Sequence, residues 1–220
     1  QKKVLLHNMK SIETLARVDT LCVDKTGTIT SNDMTVNSIE ILTNKYSDDE
    51  LFTILSDFAF SQDADNATMT AFKAHFNKPS GNKILKTQGF SSEFKYSGTK
   101  LVEGTFVLGA PEFVLRDSFA DYRKQIEKHS SKGERVLVFG LYNGELNGKA
   151  LKGIFEPICL IMLSNPIREN ASETFKFFAE QGVDIKVISG DNPRTVSEIA
   201  KSADIKGAEK YIDASTLKTQ

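Results

Sequence analysis

The sequence predicts an α/β protein: a parallel sheet built from both ends of the chain, carrying an inserted antiparallel α+β domain. Three observations predict it. Val18 to Val23 is a short apolar run that ends at Asp24 and passes at once into Thr26-Gly27-Thr28, as a buried strand feeding a polar turn does. In the last third of the chain, strand-sized apolar runs alternate with amphipathic helix-sized segments, the pattern of a parallel sheet. Between these ends lie short β-rich runs separated by Gly98 and Gly104, which read as an antiparallel meander. The expected boundaries are 1–35 and 153–220 for the parallel part and 36–152 for the insert.

The elements follow in order. Thr35 to Leu42 alternates loosely and is rich in β-branched residues, so it reads as a strand. Ser47-Asp48-Asp49-Glu50 fits a capping box, and Leu51, Leu55 and Phe58 then share one helical face. A polar break precedes a short helix from about Thr68 to Phe76. Phe90–Ser97, Lys100–Glu103 and Thr105–Leu108 are strand candidates. Pro111 suits the first turn of a helix reaching Leu115. Tyr122 to His129 reads as helix, and Arg135–Tyr142 and Gly153–Leu163 as strands, with Asn143-Gly144 as a turn. Glu169–Glu180 is an amphipathic helix stopped by Gly182, Val183–Ser189 a buried strand, and Pro193–Ser202 a helix.

Composition narrows the function. The chain has 220 residues, enough for one or two domains with a core. Fifteen Phe and a net charge of −1 exclude disorder as the main state. A balance of 28 basic against 29 acidic residues argues against a general nucleic-acid binder. Cys22 and Cys159 form no C-x-x-C pair, and each sits in an apolar run, as a small buried hydrophobe does. The longest apolar run, Ile158 to Leu163, is strand-sized, and no long apolar stretch follows the basic Gln1-Lys2-Lys3 start. His7, His75 and His129 have no metal-ligand spacing and read as surface residues.

The strongest chemical signal is Asp24-Lys25-Thr26-Gly27-Thr28-Ile29-Thr30. Open α/β sheets place ligands at the C-terminal ends of their strands, where Asp24 falls. A carboxylate there can act as nucleophile and form an aspartyl phosphate. Lys25 can offset phosphate charge, and the Gly27 turn can present backbone N–H groups to an anion. Ser189-Gly190-Asp191-Asn192 is the second element: a hydroxyl, a glycine turn and a helix start, which make a phosphate-binding corner or a plain helix cap.

The seven residues from Asp24 resemble the phosphorylation motif of the P-type (E1–E2) cation-transporting ATPases, which share the haloacid-dehalogenase-like, Rossmann-like fold. The resemblance implies that Asp24 accepts the γ-phosphoryl group of ATP, with Mg²⁺ held by the Asp24 carboxylate and the Thr26 carbonyl. Phosphatases of this fold usually carry a second Asp where this chain has Thr26, and a hydroxyl cannot take a proton from water as a carboxylate does. That favours slow phosphoenzyme hydrolysis, as in a pump, over a free-standing phosphatase. Ser189-Gly190-Asp191 resembles the family's T-G-D segment. Ser189 then bonds the phosphoryl group, and Asp191 either sits near magnesium and phosphate or only caps the helix.

The insert resembles the family's nucleotide-binding domain. Phe90-Ser91-Ser92-Glu93-Phe94-Lys95 is similar to F-S-S-x-x-K, which implies Phe90 stacked on adenine and Lys95 lining the pocket; the plain alternative is a core Phe on a strand. Leu108-Gly109-Ala110-Pro111-Glu112 is similar to K-G-A-P-E, where Gly109 lets backbone approach a ligand and Leu108 replaces a lysine. Gly133 to Leu137 is similar to G-x-R-V-L, so Arg135 either reaches a phosphate or forms a strand-end salt bridge. Asn66 can bond adenine or cap its helix. Asn165-Pro166-Ile167-Arg168 is similar to the D-P-x-R hinge, where Arg168 links the domains or faces solvent.

The family's downstream lysine and G-D-G-x-N-D loop do not follow Asp191. The resemblance therefore implies a chain that holds the nucleotide domain and about half of the phosphorylation domain, a cytoplasmic portion of a membrane pump. Its partners would be ATP, the actuator and transmembrane domains, and a second copy through an unpaired sheet edge beside Asp24. The insert has no His-Pro pair of the heavy-metal type, which favours a calcium, magnesium or other light cation. Two alternatives stay open: a soluble phosphatase of the same fold, and a nucleotide-binding module inactive by itself.

Overall fold

The computed structural model describes residues 10–191, 193–213 and 216. His7 and Asn192 lie outside the described residues. The chain divides into two compact units, one containing the described residues up to Asn32 and from Ile167 onward, the other Asp33–Pro166.

In chain order, helix α1 spans Lys10–Leu15, strand β1 Thr20–Asp24 and an irregular turn Lys25–Ile29. Strand β2 spans Thr35–Ile41, helix α2 Asp48–Ser61 and helix α3 Ala67–His75. Strands β3 (Lys86–Ser91), β4 (Tyr96–Lys100) and β5 (Thr105–Gly109) follow, then helices α4 (Pro111–Val114) and α5 (Phe119–Ser130). Strands β6 (Arg135–Asn143) and β7 (Ile154–Ser164), helix α6 (Ala171–Glu180), strand β8 (Asp184–Ile188) and helix α7 (Pro193–Ser202) complete it.

In the first unit β1 and β8 pair in parallel, with Asp24 opposite Ile188. Their side chains alternate. Val23, Ile185 and Val187 pack on a small core of Ile29, Phe175 and Ala200, while Cys22, Asp24, Lys186 and Ile188 are exposed. The expectation of fully buried strands is thus corrected: α6 and α7 supply the apolar residues that cover one face of the pair, and no described element buries the other. Cys22, expected as a buried hydrophobe, falls on that exposed face.

The second unit is a six-stranded antiparallel sheet in the order β2-β7-β6-β5-β4-β3. Its expected boundary at 153 moves. Ile154–Ser164 pairs with both β6 and β2, so β7 is a central strand of this sheet, and the unit closes at Pro166. Both faces of β6 and β7 are covered. Phe139, Cys159 and Ile161 join α2 and α3 residues such as Phe58 and Phe72 on one side. Val138, Leu160 and Met162 join Val114 and Ile126 on the other. A strand buried on both faces reads as one continuous apolar run, which is what Ile158–Leu163 is.

Local signals explain the helices. Ser47 Oγ accepts from Glu50 N at 3.3 Å and the Glu50 carboxylate accepts from Ser47 N at 2.8 Å, the reciprocal capping box. Pro111 opens α4. The meander is shifted from its expected registry: Gly98 lies inside β4, paired with Val107, and the break falls at the turn of Ser92–Lys95. Asn143-Gly144 opens a longer connection rather than a two-residue turn, because Leu146 and Leu151 are drawn into the core.

Candidate active site

The first cluster lies at the C-terminal ends of β1 and β8. The parallel register brings Asp24 level with Ile188, so the Lys25–Ile29 turn and the Ser189–Asp191 turn leave the sheet side by side. Asp24 is exposed and its side chain does not cap the turn that follows. The Lys25 ammonium is nearly buried and pairs with the Asp191 carboxylate, tying the two turns together. Asp191, expected as either a phosphate-side acid or a cap, spends its carboxylate on this pair. Ser189 Oγ accepts from Asp191 N at 3.2 Å, which closes the second turn. Gly190 carries no side chain at its tip.

Gly27 takes φ 79°, and a Cβ there would lie 2.5 Å from Asn32 Oδ1. Glycine is the residue that occupies such a position without steric cost. Thr26 is extended, at φ −78° and ψ 125°, and Thr30 N donates back to Lys25 O at 3.1 Å. Arg168, expected as a cofactor or hinge residue, holds this turn: Nη2 donates to Gly27 O at 2.5 Å and Nε to Thr30 O at 3.4 Å. Its own N–H donates to Ile29 O at 3.0 Å, next to a bridge between Thr30 and Ile167. Arg168 thus holds the turn after Asp24 and does not line the cleft described next.

The second cluster is a cleft of about 510 Å³ within the other unit. Asn66, Phe90, Lys95, Gly109 and Arg135, singled out from four separate stretches of sequence, all line it. Phe90 is half exposed on its wall, which corrects the alternative of a core Phe. Lys95 sits in the left-handed region at φ 53°, in the turn between β3 and β4. Gly109 lies against it: a Cβ would come within 2.8 Å of Lys95 O and of Tyr96 Cβ, so only glycine keeps this close approach. Asn66 caps α3, its Oδ1 accepting from Met69 N at 2.9 Å, and so realises the capping alternative while remaining at the cleft. Among the described residues Arg135 has no salt-bridge partner at its strand end; its Nη1 donates to Thr68 Oγ1 at 3.0 Å.

His129, expected at the surface, is instead buried, with Nδ1 at 2.8 Å from Glu134 Oε2 and Nε2 at 3.0 Å from Glu40 Oε2. The signal was present: Phe119, Tyr122, Ile126 and His129 share one face of α5, and the first three pack inward.

The donor sets can be tested against the groups the resemblance implied. Among the described residues, no cluster of three or more His, Cys, Asp or Glu is placed to hold a metal. The oxygens beside the strand end are the Asp24 carboxylate and the Thr26 carbonyl. That sparse, oxygen-only set fits magnesium, which usually takes one or two carboxylates and completes its shell with water and substrate phosphates. The cleft, with an aromatic wall and two cations, fits a nucleotide in size and chemistry.

Residues 18–219 match the family model of the haloacid dehalogenase-like hydrolases. The chain is 38% identical over 219 residues to the "Probable cation-transporting ATPase exp7" of Streptococcus pneumoniae, covering 98% of this chain and 28% of that protein. It is 36% identical over 221 residues to the "Calcium-transporting ATPase CtpE" of Mycolicibacterium smegmatis, covering 100% and 27%. The chain thus spans little more than a quarter of the length of these relatives. The crystal structure of a zinc-transporting PIB-type ATPase shares the fold, with a TM-score of 0.67 at 19% identity over 89% of this chain and 29% of that one. On these matches the chain belongs to the haloacid dehalogenase-like hydrolases, and it corresponds along nearly its whole length to a segment of the P-type cation-transporting ATPases.

Proposed function

We propose that the chain is the ATP-binding and phosphorylation region of an ion-pumping P-type ATPase. The observation that carries this is the meeting of Asp24, Lys25 and the Ser189–Asp191 turn at the ends of two parallel strands. An exposed carboxylate beside a cation and two polar turns is an acceptor site for a phosphoryl group.

The nucleotide binds in the cleft, its base on Phe90 and its phosphates toward Lys95 and Arg135. In the transfer step an Asp24 oxygen bonds to the γ-phosphorus, the bond to the β-phosphate oxygen breaks, and ADP leaves. Asp24 and the Thr26 carbonyl would hold magnesium, which supplies charge neutralisation on the phosphate oxygens. Lys25 stabilises the negative charge gathered there, and Ser189 donates a hydrogen bond to the phosphoryl oxygens. Thr26 offers no general base, so the aspartyl phosphate persists long enough to be coupled to other motion.

In the full-length protein this cycle would drive a cation across a membrane, with the cytoplasmic region meeting actuator and transmembrane domains. A light cation is the favoured cargo, in keeping with the calcium transport named for one relative. No helix of the described residues is long and apolar enough to cross a membrane. The outer edge of β1 has no strand partner among the described residues, which supports self-association of the chain through it, testable by sedimentation velocity.

The test is labelling of the full-length pump with γ-labelled ATP and magnesium. Acid-stable, hydroxylamine-labile label is expected on the wild type and absent from Asp24→Asn; label that survives this substitution overturns the aspartyl-phosphate reading. One observation favours a second reading, a nucleotide-binding module inactive by itself: every candidate nucleotide residue of the cleft lies in one unit. ATP binding abolished by Phe90→Ala, with no phosphorylation of the isolated chain, would support it.

A further inference from the structure

We propose that His129 is a positioning residue of the cleft, which keeps the Glu134 carboxylate away from Arg135 and from the phosphates of a bound nucleotide. The proposal rests on the reading that the cleft takes a nucleotide.

The charged side chains lining the cleft are Lys95 and Arg135 against Glu112 and Glu134, so its walls carry no net charge. A polyanionic ligand therefore gains from Lys95 and Arg135 only as far as the two carboxylates are held or compensated. Glu134 is the critical one, because it precedes Arg135 in sequence and lines the same cleft. Both its oxygens are engaged from outside the cleft. His129 lies 2.8 Å from Oε2, and Asn37 Nδ2 donates to Oε1 at 3.2 Å.

The imidazole is itself fixed on its far side, where Nε2 lies 3.0 Å from Glu40 Oε2 on β2. Both ring nitrogens thus face carboxylates, one from each side of the ring. Asn37 is braced in turn by Ser164, with 2.7 Å between Asn37 Nδ2 and Ser164 Oγ. The consequence is visible at Arg135: its guanidinium, exposed beside a carboxylate neighbour, is bonded to the neutral hydroxyl of Thr68. It is left with donors to spare for phosphate.

His129→Ala removes the clamp while leaving every cleft-lining side chain in place. The expected result is a loss of ATP affinity of about tenfold, with adenosine affinity changed less than about twofold, because an uncompensated carboxylate acts on the phosphates and not on the base. The double variant His129→Ala/Glu134→Gln, which deletes the released charge, restores ATP affinity. Isothermal titration with ATP and with adenosine reads all three. Equal losses for both ligands, unchanged ATP affinity, or no rescue in the double variant would overturn the proposal. Should His129→Ala lose the dispersed amide spectrum of the wild type, His129→Gln takes its place, since it keeps one donor and most of the volume. A loss of about threefold confined to ATP supports the clamp; equal loss of both ligands overturns it. Failure of the wild type to bind either ligand is a different result, and it overturns the nucleotide reading and this proposal together.

Discussion

Lys25 reaches across the ends of two parallel strands to pair with Asp191, so the residue after the candidate nucleophile is bonded to the turn from the neighbouring strand. The pair joins segments far apart in sequence, and the Lys25 side chain is only 12% exposed. A lysine so placed has given up most of its water on folding, and without Asp191 it loses the partner that offsets that cost. Asp191→Asn is expected to lower the stability of the chain by about 1 kcal/mol, at the upper end for exposed pairs, with a coupling of similar size in a double-mutant cycle with Lys25→Met. Urea unfolding measures it. Additive single effects would mean that the pair contributes nothing to the fold.

Gly27 sets the shape of the turn after Asp24. Gly27→Ala must place a Cβ at φ 79°, against Asn32 Oδ1. The expected cost is about 1–2 kcal/mol, most of it backbone strain. Thermal unfolding of the variant tests this; a variant as stable as wild type would show that the turn has relaxed to another conformation.

The two cysteines should differ sharply in reactivity. Cys22 is exposed on β1, whereas Cys159 is buried in β7 and burial pushes its thiol up to about 12. The native chain should release one equivalent of thionitrobenzoate promptly at about pH 8, and a second only on unfolding. Cys22→Ser should abolish the prompt phase. Two prompt equivalents would place Cys159 at the surface.

Helix α2 carries a pH-dependent contribution. Hydrogen bonds from the Ser47 backbone and hydroxyl hold the Glu50 carboxyl below its ordinary value of 4.5. A group lowered on folding stabilises the fold above its unfolded value, and that contribution is lost as pH falls through the folded value. Wild type should therefore exceed Glu50→Gln in stability by a constant amount at neutral pH, the gap closing as pH falls below about 4.5. Paired urea titrations across that range would show it, and a gap independent of pH would contradict it.

Much of the candidate site is legible in the sequence because its residues are contiguous. Asp24 to Thr30 and Ser189 to Asp191 each form one turn, so their chemistry is written locally, and only the parallel register was needed to bring them together. The cleft was legible for a different reason: each of its five residues belongs to a short patterned stretch. What stayed hidden depended on a neighbour distant in sequence. The run Ile158–Leu163 is equally compatible with a parallel or an antiparallel sheet, because a strand covered on both faces loses the alternation that would assign it. The α5 face that His129 shares with Ile126 signals its burial, but its partner Glu40, on a remote strand, is not legible in the sequence. Cys22 was misplaced because an apolar neighbourhood in sequence does not reveal that one face of a two-stranded sheet lies bare.

The chain leaves and re-enters the first unit at adjacent points. Thr30 bridges to Ile167, while Thr35 stands opposite Ser164 and Asn165 Nδ2 donates to Asp33 O at 3.2 Å in the other unit. For the turns after β1 and β8, everything between those points is topologically a single hairpin. Only its two stems have to meet, and loop-closure entropy grows slowly with what lies between. The inserted unit can therefore lengthen, shrink or be exchanged for another body with little change to the fold that presents Asp24, so the insert and the strand ends are free to evolve separately.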